Sequence, residues 1–346
     1  MPFIRDLLHF SSVSVVGLEK NTGKTECLNY ILKRLKSSEK QVAVTSIGVD
    51  GEEVDRLYHN TKPEITLYDG MVFVTSEKHY REKQLVAEIM DVSNRKTALG
   101  RLITARVQSS GKTLLSGPPD TLWLQKILQT MKAQHIDLTL VDGALSRLSL
   151  ASPAVTDAMI LTTGASLSEN LTKLLQLTLF ACKMIALEEV EPPLKQQLEP
   201  IEKGIWAIDD AGNIHDLNIP SVFGMGERSG EIFKHGNTLF VSGAISDNFL
   251  INLRIQPQSK DMTLIIKDFS KAFFSEDAYK AFVNRGGVIK VLRRTKLIAV
   301  CVNPVSPSGR RFDSDELQQR MKEVLGGVPV YDVRGLRDLF SCNSKK

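Results

Sequence analysis

Gly17-Leu18-Glu19-Lys20-Asn21-Thr22-Gly23-Lys24-Thr25 satisfies the pattern G-x-x-x-x-G-K-[ST], and its flanks give the match weight. The apolar run Val13 to Val16 before it reads as a strand, and Glu26 to Leu35 after it reads as a helix. Gly17 and Gly23 let the backbone curl so that successive N–H groups point inward at the positive end of that helix, which makes a seat for phosphates. Lys24 supplies a mobile charge for the β and γ phosphates, and the Thr25 hydroxyl is placed to ligate magnesium. Gly17, Lys20, Asn21, Thr22, Gly23, Lys24 and Thr25 are therefore the expected contacts of ATP or GTP with Mg2+. The alternative is a glycine-containing strand-to-helix turn without a ligand. Lys20 is placed to reach a phosphate in its own site or across a partner subunit, or is an exposed lysine with no role. Ser109-Ser110-Gly111-Lys112-Thr113 also reads G-K-T but has Arg106 where the first glycine belongs, so it is read as a polar turn after a strand.

Working outward, short β-branched runs alternate with helical patterns, the signature of βαβ units and a largely parallel sheet in an α/β fold. Val42 to Ile47, Met71 to Thr75, Leu102 to Val107, Leu138 to Val141 and Ala158 to Thr162 read as strands; Glu82 to Met90, Asp120 to Ala133 and Leu167 to Leu187 read as helices. The acidic, proline-interrupted stretch Glu188 to Pro200 breaks the apolar pattern and is expected to part a nucleotide-binding domain, 1–187, from a second α/β domain, 188–346. In the latter, strands are expected at Trp206 to Ile208, Thr238 to Val241, Met262 to Ile266, Val288 to Leu292 and Leu297 to Val302, and helices near Asp247 to Leu253, Glu276 to Asn284 and Ser314 to Leu325.

Asp142 ends an apolar run, where an acid would hold magnesium through its water shell beside the loop; a turn-capping aspartate before Gly143 is the alternative. Asp50, with Gly51, Glu52 and Glu53 after it, could position a metal or an attacking water, or be a solvated acidic turn. Lys24, Asp142 and Asp50 are thus the candidate catalytic residues, with Thr25 and Asp142 as the metal pair. Asn303, in the proline-punctuated loop Asn303 to Gly309 after a strand, could hydrogen-bond a base or merely cap a stiff turn. Arg147 could contact a γ-phosphate or be a surface residue. Lys267-Asp268 is either a site edge or a strand terminus.

With 346 residues, 42% of them hydrophobic and 24% charged, the chain has the balance of a globular protein of about two domains. A net charge of +4 with scattered Lys and Arg gives no footprint for nucleic acid. Cys27, Cys182, Cys301 and Cys342 form no C-x-x-C pair, and the six histidines show no metal-ligand spacing, so neither a zinc site nor a disulfide framework is suggested. The start lacks a signal-length apolar run and no membrane-spanning stretch follows, so a cytoplasmic location is expected.

Gly17 to Thr25 together with Val141-Asp142-Gly143-Ala144 resembles the P-loop class that includes dethiobiotin synthetases, cobyric acid synthases and the adapter GTPases of molybdopterin synthesis. Over nearly its whole length the chain is also similar to the family of lysine 5,6-aminomutase reactivase subunits, KamB. The residues that carry this likeness are Thr45-Ser46-Ile47-Gly48-Val49-Asp50-Gly51-Glu52, the Leu239 to Asp247 segment with Ser242-Gly243-Ala244, Val302-Asn303-Pro304-Val305-Ser306-Pro307, and Val328-Pro329-Val330-Tyr331-Asp332-Val333. The resemblance implies an NTP-hydrolysing accessory protein that acts on an adenosylcobalamin-dependent aminomutase together with a second ATPase subunit. No corrin-binding D-x-H-x-x-G pattern is present, so the chain would act on the mutase and not carry its cobalamin. The competing expectation is a ligase or kinase of the dethiobiotin synthetase type. A regulatory GTPase is disfavoured by the lack of N-K-x-D, and a homodimer is left open.

Overall fold

A computed structural model of the chain describes residues 3–48, 64–144, 155–222, 232–256 and 259–335. The fold is α/β and separates into two units, one made of residues 1–179 and 296–346, the other of 180–295. No helix among the described residues is long and apolar enough to cross a membrane.

The first unit opens with α1 (Ile4–Leu7), β1 (Ser12–Gly17), α2 (Lys24–Leu35), β2 (Val42–Ser46), β3 (Ile65–Leu67), β4 (Val72–Ser76), α3 (Glu77–Glu82), β5 (Gln84–Thr97) and β6 (Gly100–Thr113). It continues with α4 (Thr121–Ala133), β7 (Leu138–Ala144), β8 (Ala158–Gly164) and α5 (Leu171–Ile185), a helix that runs on into the second unit. There follow β9 (Glu188–Glu189), α6 (Pro192–Leu198), β10 (Ile205–Ile208), β11 (Ile214–Ile219), β12 (Thr238–Val241), β13 (Ile245–Ser246), α7 (Asp247–Ile255), β14 (Thr263–Ile266), β15 (Ala272–Phe273), α8 (Glu276–Val283) and β16 (Val288–Val291). The chain then returns to the first unit with β17 (Lys296–Asn303), α9 (Ser314–Leu325) and β18 (Val330–Tyr331).

The large sheet runs β18-β17-β8-β1-β7-β2-β4-β6-β3, with β5 added on β6. From β18 to β4 its pairs are parallel, and around β6 they are antiparallel. β1 is buried along its whole length, as the Val-rich run demands of an inner parallel strand. Val13 and Val15 share a core with Cys27, Leu28, Ile31, Leu32 and Leu35 of α2. Their spacing of four along the helix lays one apolar stripe on the sheet. Burying each of the leucines contributes about 1.5–3 kcal/mol, which fixes α2 and with it the loop at its start.

The second unit has a six-stranded sheet, β11-β10-β12-β14-β16-β9. β12, β14, β16 and β9 are parallel there, while β10 and β11 form an antiparallel edge.

Three expectations are corrected. The chain does not divide at 187/188 into two consecutive domains: β17 pairs with β8 from Lys296↔Ala158 to Asn303↔Gly164, so the C-terminal segment completes the first sheet. Glu82 to Met90 is not a helix; Gln84 onward forms β5, a long hairpin arm against β6. Leu85, Val86, Ile89 and Met90 mimic a helical period, but Leu85 and Ala87 pack on the core while Val86 and Ile89 are exposed. Gly111-Lys112-Thr113 is the end of β6 and not a turn, and a Cβ on Gly111 would lie 2.0 Å from the Gln84 carbonyl oxygen.

Candidate functional site

The segment 18–23 leaves the carboxyl end of β1, which is flanked by β7 and β8, and enters α2. Ligands of open α/β sheets gather at this end of the strands. Two glycines shape the turn. A Cβ on Gly17 would sit 2.6 Å from Thr22 Oγ1, and Gly23 has φ +91° with Asn303 Cβ 3.1 Å from where its own Cβ would be. Asn21 is also left-handed, at φ 61°. Larger residues are thus barred from Gly17 by space and from Gly23 by conformation as well.

The loop is braced from two neighbouring strands. Thr22, 1% exposed, donates through Oγ1 to the Glu19 carbonyl at 2.9 Å and meets Thr162 Oγ1 of β8 at 3.0 Å. Leu18 N–H donates to Thr162 O at 3.0 Å. From β17, Asn303 Nδ2 donates to the Asn21 carbonyl at 2.9 Å, and Asn303 Oδ1 accepts from Val305 N at 3.3 Å. Asn303 is therefore brought to the loop as a clamp on its backbone. Beneath it, the Cys27 thiol donates to Cys301 Sγ at 3.5 Å, and this contact together with burial pushes the Cys301 thiol well above its ordinary range. The two cysteines lie far apart in sequence but touch here as packed, buried thiols.

Lys24 and Asp142 come together. Lys24 opens α2, Asp142 lies on β7 beside Val15 of β1, and Lys24 Nζ is 3.1 Å from Asp142 Oδ1. The lysine side chain is 25% exposed and the aspartate 11%. Oδ1 is buried and, among the described residues, receives no properly directed hydrogen bond, so the contact is an ion pair alone. The Asp142 backbone carbonyl is held by Ser46 Oγ at 3.1 Å and Ile47 N at 3.1 Å, which fixes the carboxylate at the strand end. Asp142 is thus a strand residue and not a turn cap. Thr25, half-buried, stands in the first turn of α2, and Lys20 is exposed in the loop. Asp50 and Arg147 lie outside the described residues.

Among the described helices of eight residues or more, α2 alone begins without a side-chain cap, a lack it shares with the shorter α1 and α6. Asp120 caps α4 at Trp123 N, Asn170 caps α5 at Lys173 N, and Ser246, Ser275 and Asp313 cap α7, α8 and α9. α2 begins at Gly23 with no side-chain cap hydrogen bond. Its first N–H groups have no acceptor within the helix, which leaves a positive end where the loop enters α2.

Several contributors had no sequence signal. Thr162 acts only because β8 lies next to β1. Glu169, beyond β8, accepts from Ser306, Ser308 and Arg310 in the loop after β17. The Ser308 and Ser306 hydroxyls, with Arg310, hold its carboxyl below the usual carboxylate range. Lys267-Asp268 follows the end of β14, where Asp268 accepts from Ser270 N at 2.8 Å.

Comparison with protein-family models, with curated proteins and with solved structures finds no match. The functional reading therefore rests on this site.

Asn303→Ala deletes the tether to Asn21 and leaves that carbonyl without its side-chain donor. A loss of about 1 kcal/mol in unfolding free energy is expected from urea denaturation. An unchanged midpoint would remove the clamp from the account.

Proposed function

We propose that the chain is a P-loop NTPase that holds ATP or GTP with Mg2+ on Gly17 to Thr25. The observation that carries this is the meeting of Lys24 with Asp142 at the mouth of an uncapped helix, beneath a loop pinned by Thr22 and Asn303. The residues fit the group. Loop N–H groups and the start of α2 would receive the β and γ phosphates; Lys24 would leave Asp142 for a phosphate oxygen; Thr25 would ligate the metal. The buried Oδ1 of Asp142, lacking a directed donor, suits a water of the magnesium shell. Thr25 and, through a water, Asp142 would hold Mg2+, which would supply charge to offset that developing on phosphoryl transfer. Asp50 is retained as a candidate for orienting the attacking water.

The use made of hydrolysis is proposed from the family likeness: an accessory protein that drives release of damaged cobalamin from an adenosylcobalamin-dependent lysine 5,6-aminomutase, with a second ATPase subunit. Ejecting a tightly held cofactor needs a conformational cycle, and nucleotide turnover can drive one only if the two nucleotide states bind the mutase unequally. The test is turnover of MgATP and MgGTP with and without the inactivated mutase holoenzyme. Slow basal hydrolysis that accelerates with the mutase is the expected result. ADP release that depends on a small metabolite and ignores the mutase would move the chain to the ligase or kinase type, and failure to bind either nucleotide would discard both readings.

A further inference from the structure

The second unit holds a cavity of about 320 Å3 at the carboxyl end of β12. Its walls include Ile205 of β10, Pro220 after β11, Val241 at the end of β12 and Ile245 of β13, and Phe273 of β15 stands there 44% exposed. β13 and β15 pair with each other, Ile245 with Ala272 and Ser246 with Phe273, in a two-stranded ladder of their own apart from the six-stranded sheet. The chain thus builds separate structure beside this space. We propose that the cavity is a binding site for an uncharged, ring-bearing small molecule.

Three observations set that class. The volume and the apolar walls match small-molecule sites, and the position matches where open α/β sheets take ligands. Among the described residues no charged side chain lines the cavity, so an ionised ligand would give up its hydration with no counter-charge from them to replace it. Two of the three serines in the lining are already engaged: Ser242 Oγ donates to the Gly204 carbonyl at 3.1 Å, and Ser246 Oγ accepts from Phe249 N at 3.4 Å. That leaves shape and apolar contact as the main determinants, with the Phe273 ring available for stacking. Gly243 borders the space, and a Cβ built on it meets nothing within 4 Å, so a side chain there would be received without strain. The site draws nothing from the phosphate loop and stands whether or not a nucleotide binds there.

The experiment is fluorescence titration of the intact protein with the neutral probe N-phenyl-1-naphthylamine, compared with the sulfonated probe 8-anilino-1-naphthalenesulfonate. Saturable one-to-one binding of the neutral probe is expected, with the sulfonated one at least about tenfold weaker and excess MgATP displacing neither. Gly243→Leu should abolish the signal at an unchanged melting temperature, and Phe273→Ala should weaken it about two- to tenfold. Non-saturable binding, equal or stronger binding of the sulfonate, or parental affinity in both variants overturns the proposal. Should Gly243→Leu fail to fold, Phe273→Ala decides alone, since its exposed ring contributes little to the core, and parental affinity there is fatal to the idea.

Discussion

Lys24→Ala is expected to weaken binding of MgATP and MgGTP by roughly 10- to 100-fold, the worth of a hydrogen bond to a charged group. Turnover should fall further, by about 10²- to 10³-fold, because the ammonium counts most as charge builds on the transferred phosphoryl group. Unlike an exposed loop lysine, Lys24 also faces a buried carboxylate. Truncating it strands that charge, and a stability loss of about 1–3 kcal/mol should accompany the loss of binding. Calorimetric titration with each nucleotide and a urea melt separate the two effects. Parental affinity in a folded variant would mean that the loop is no phosphate seat.

Asp142→Asn gives the second large effect, with little change in stability. The amide keeps the shape and hydrogen-bonding reach of the carboxylate but removes its charge, so the water shell of the proposed metal would lose an anionic acceptor. A drop of about 10- to 100-fold in magnesium affinity or activity is the usual cost of losing such an outer partner. Stability should stay within about 1 kcal/mol, since no buried anion is left unpaired and Lys24 keeps partial access to solvent. Nucleotide affinity measured against magnesium concentration is the deciding measurement. A variant whose magnesium dependence matches the parent's would exclude Asp142 from the metal site. Comparing both single variants with the double then gives the coupling energy of the pair itself.

What could be read from residues alone was local. The strand before the loop, α2 after it, and α9 from Ser314 to Leu325 each carry their own period and boundary residues, so their limits are close to the observed ones. Asp142 was recognisable because an acid ending an apolar run is itself a local pattern. The errors have one source, pairing between distant segments. Whether Gln84 to Met90 coils or extends is decided by β6, whose strand partners no window over those residues contains. Ile214–Ile219 went unnoticed as a strand because its apolar positions are few and its neighbour β10 supplies the ladder. Asn303 was noticed for its loop chemistry, but its task follows from β17 lying beside β8, 282 residues along the chain from the carbonyl it binds. Thr162 was invisible for the same reason.

The return of β17 bears on how the protein can be cut. A fragment ending near residue 187 would lack Asn303 and would expose the outer edge of β8, Ala158 to Gly164, as a row of unsatisfied amides and carbonyls. Such a rim recruits other chains and invites precipitation. Residues 180–295 are spliced into the first unit as an inserted module, so the natural dissection keeps both ends of the polypeptide and excises the middle.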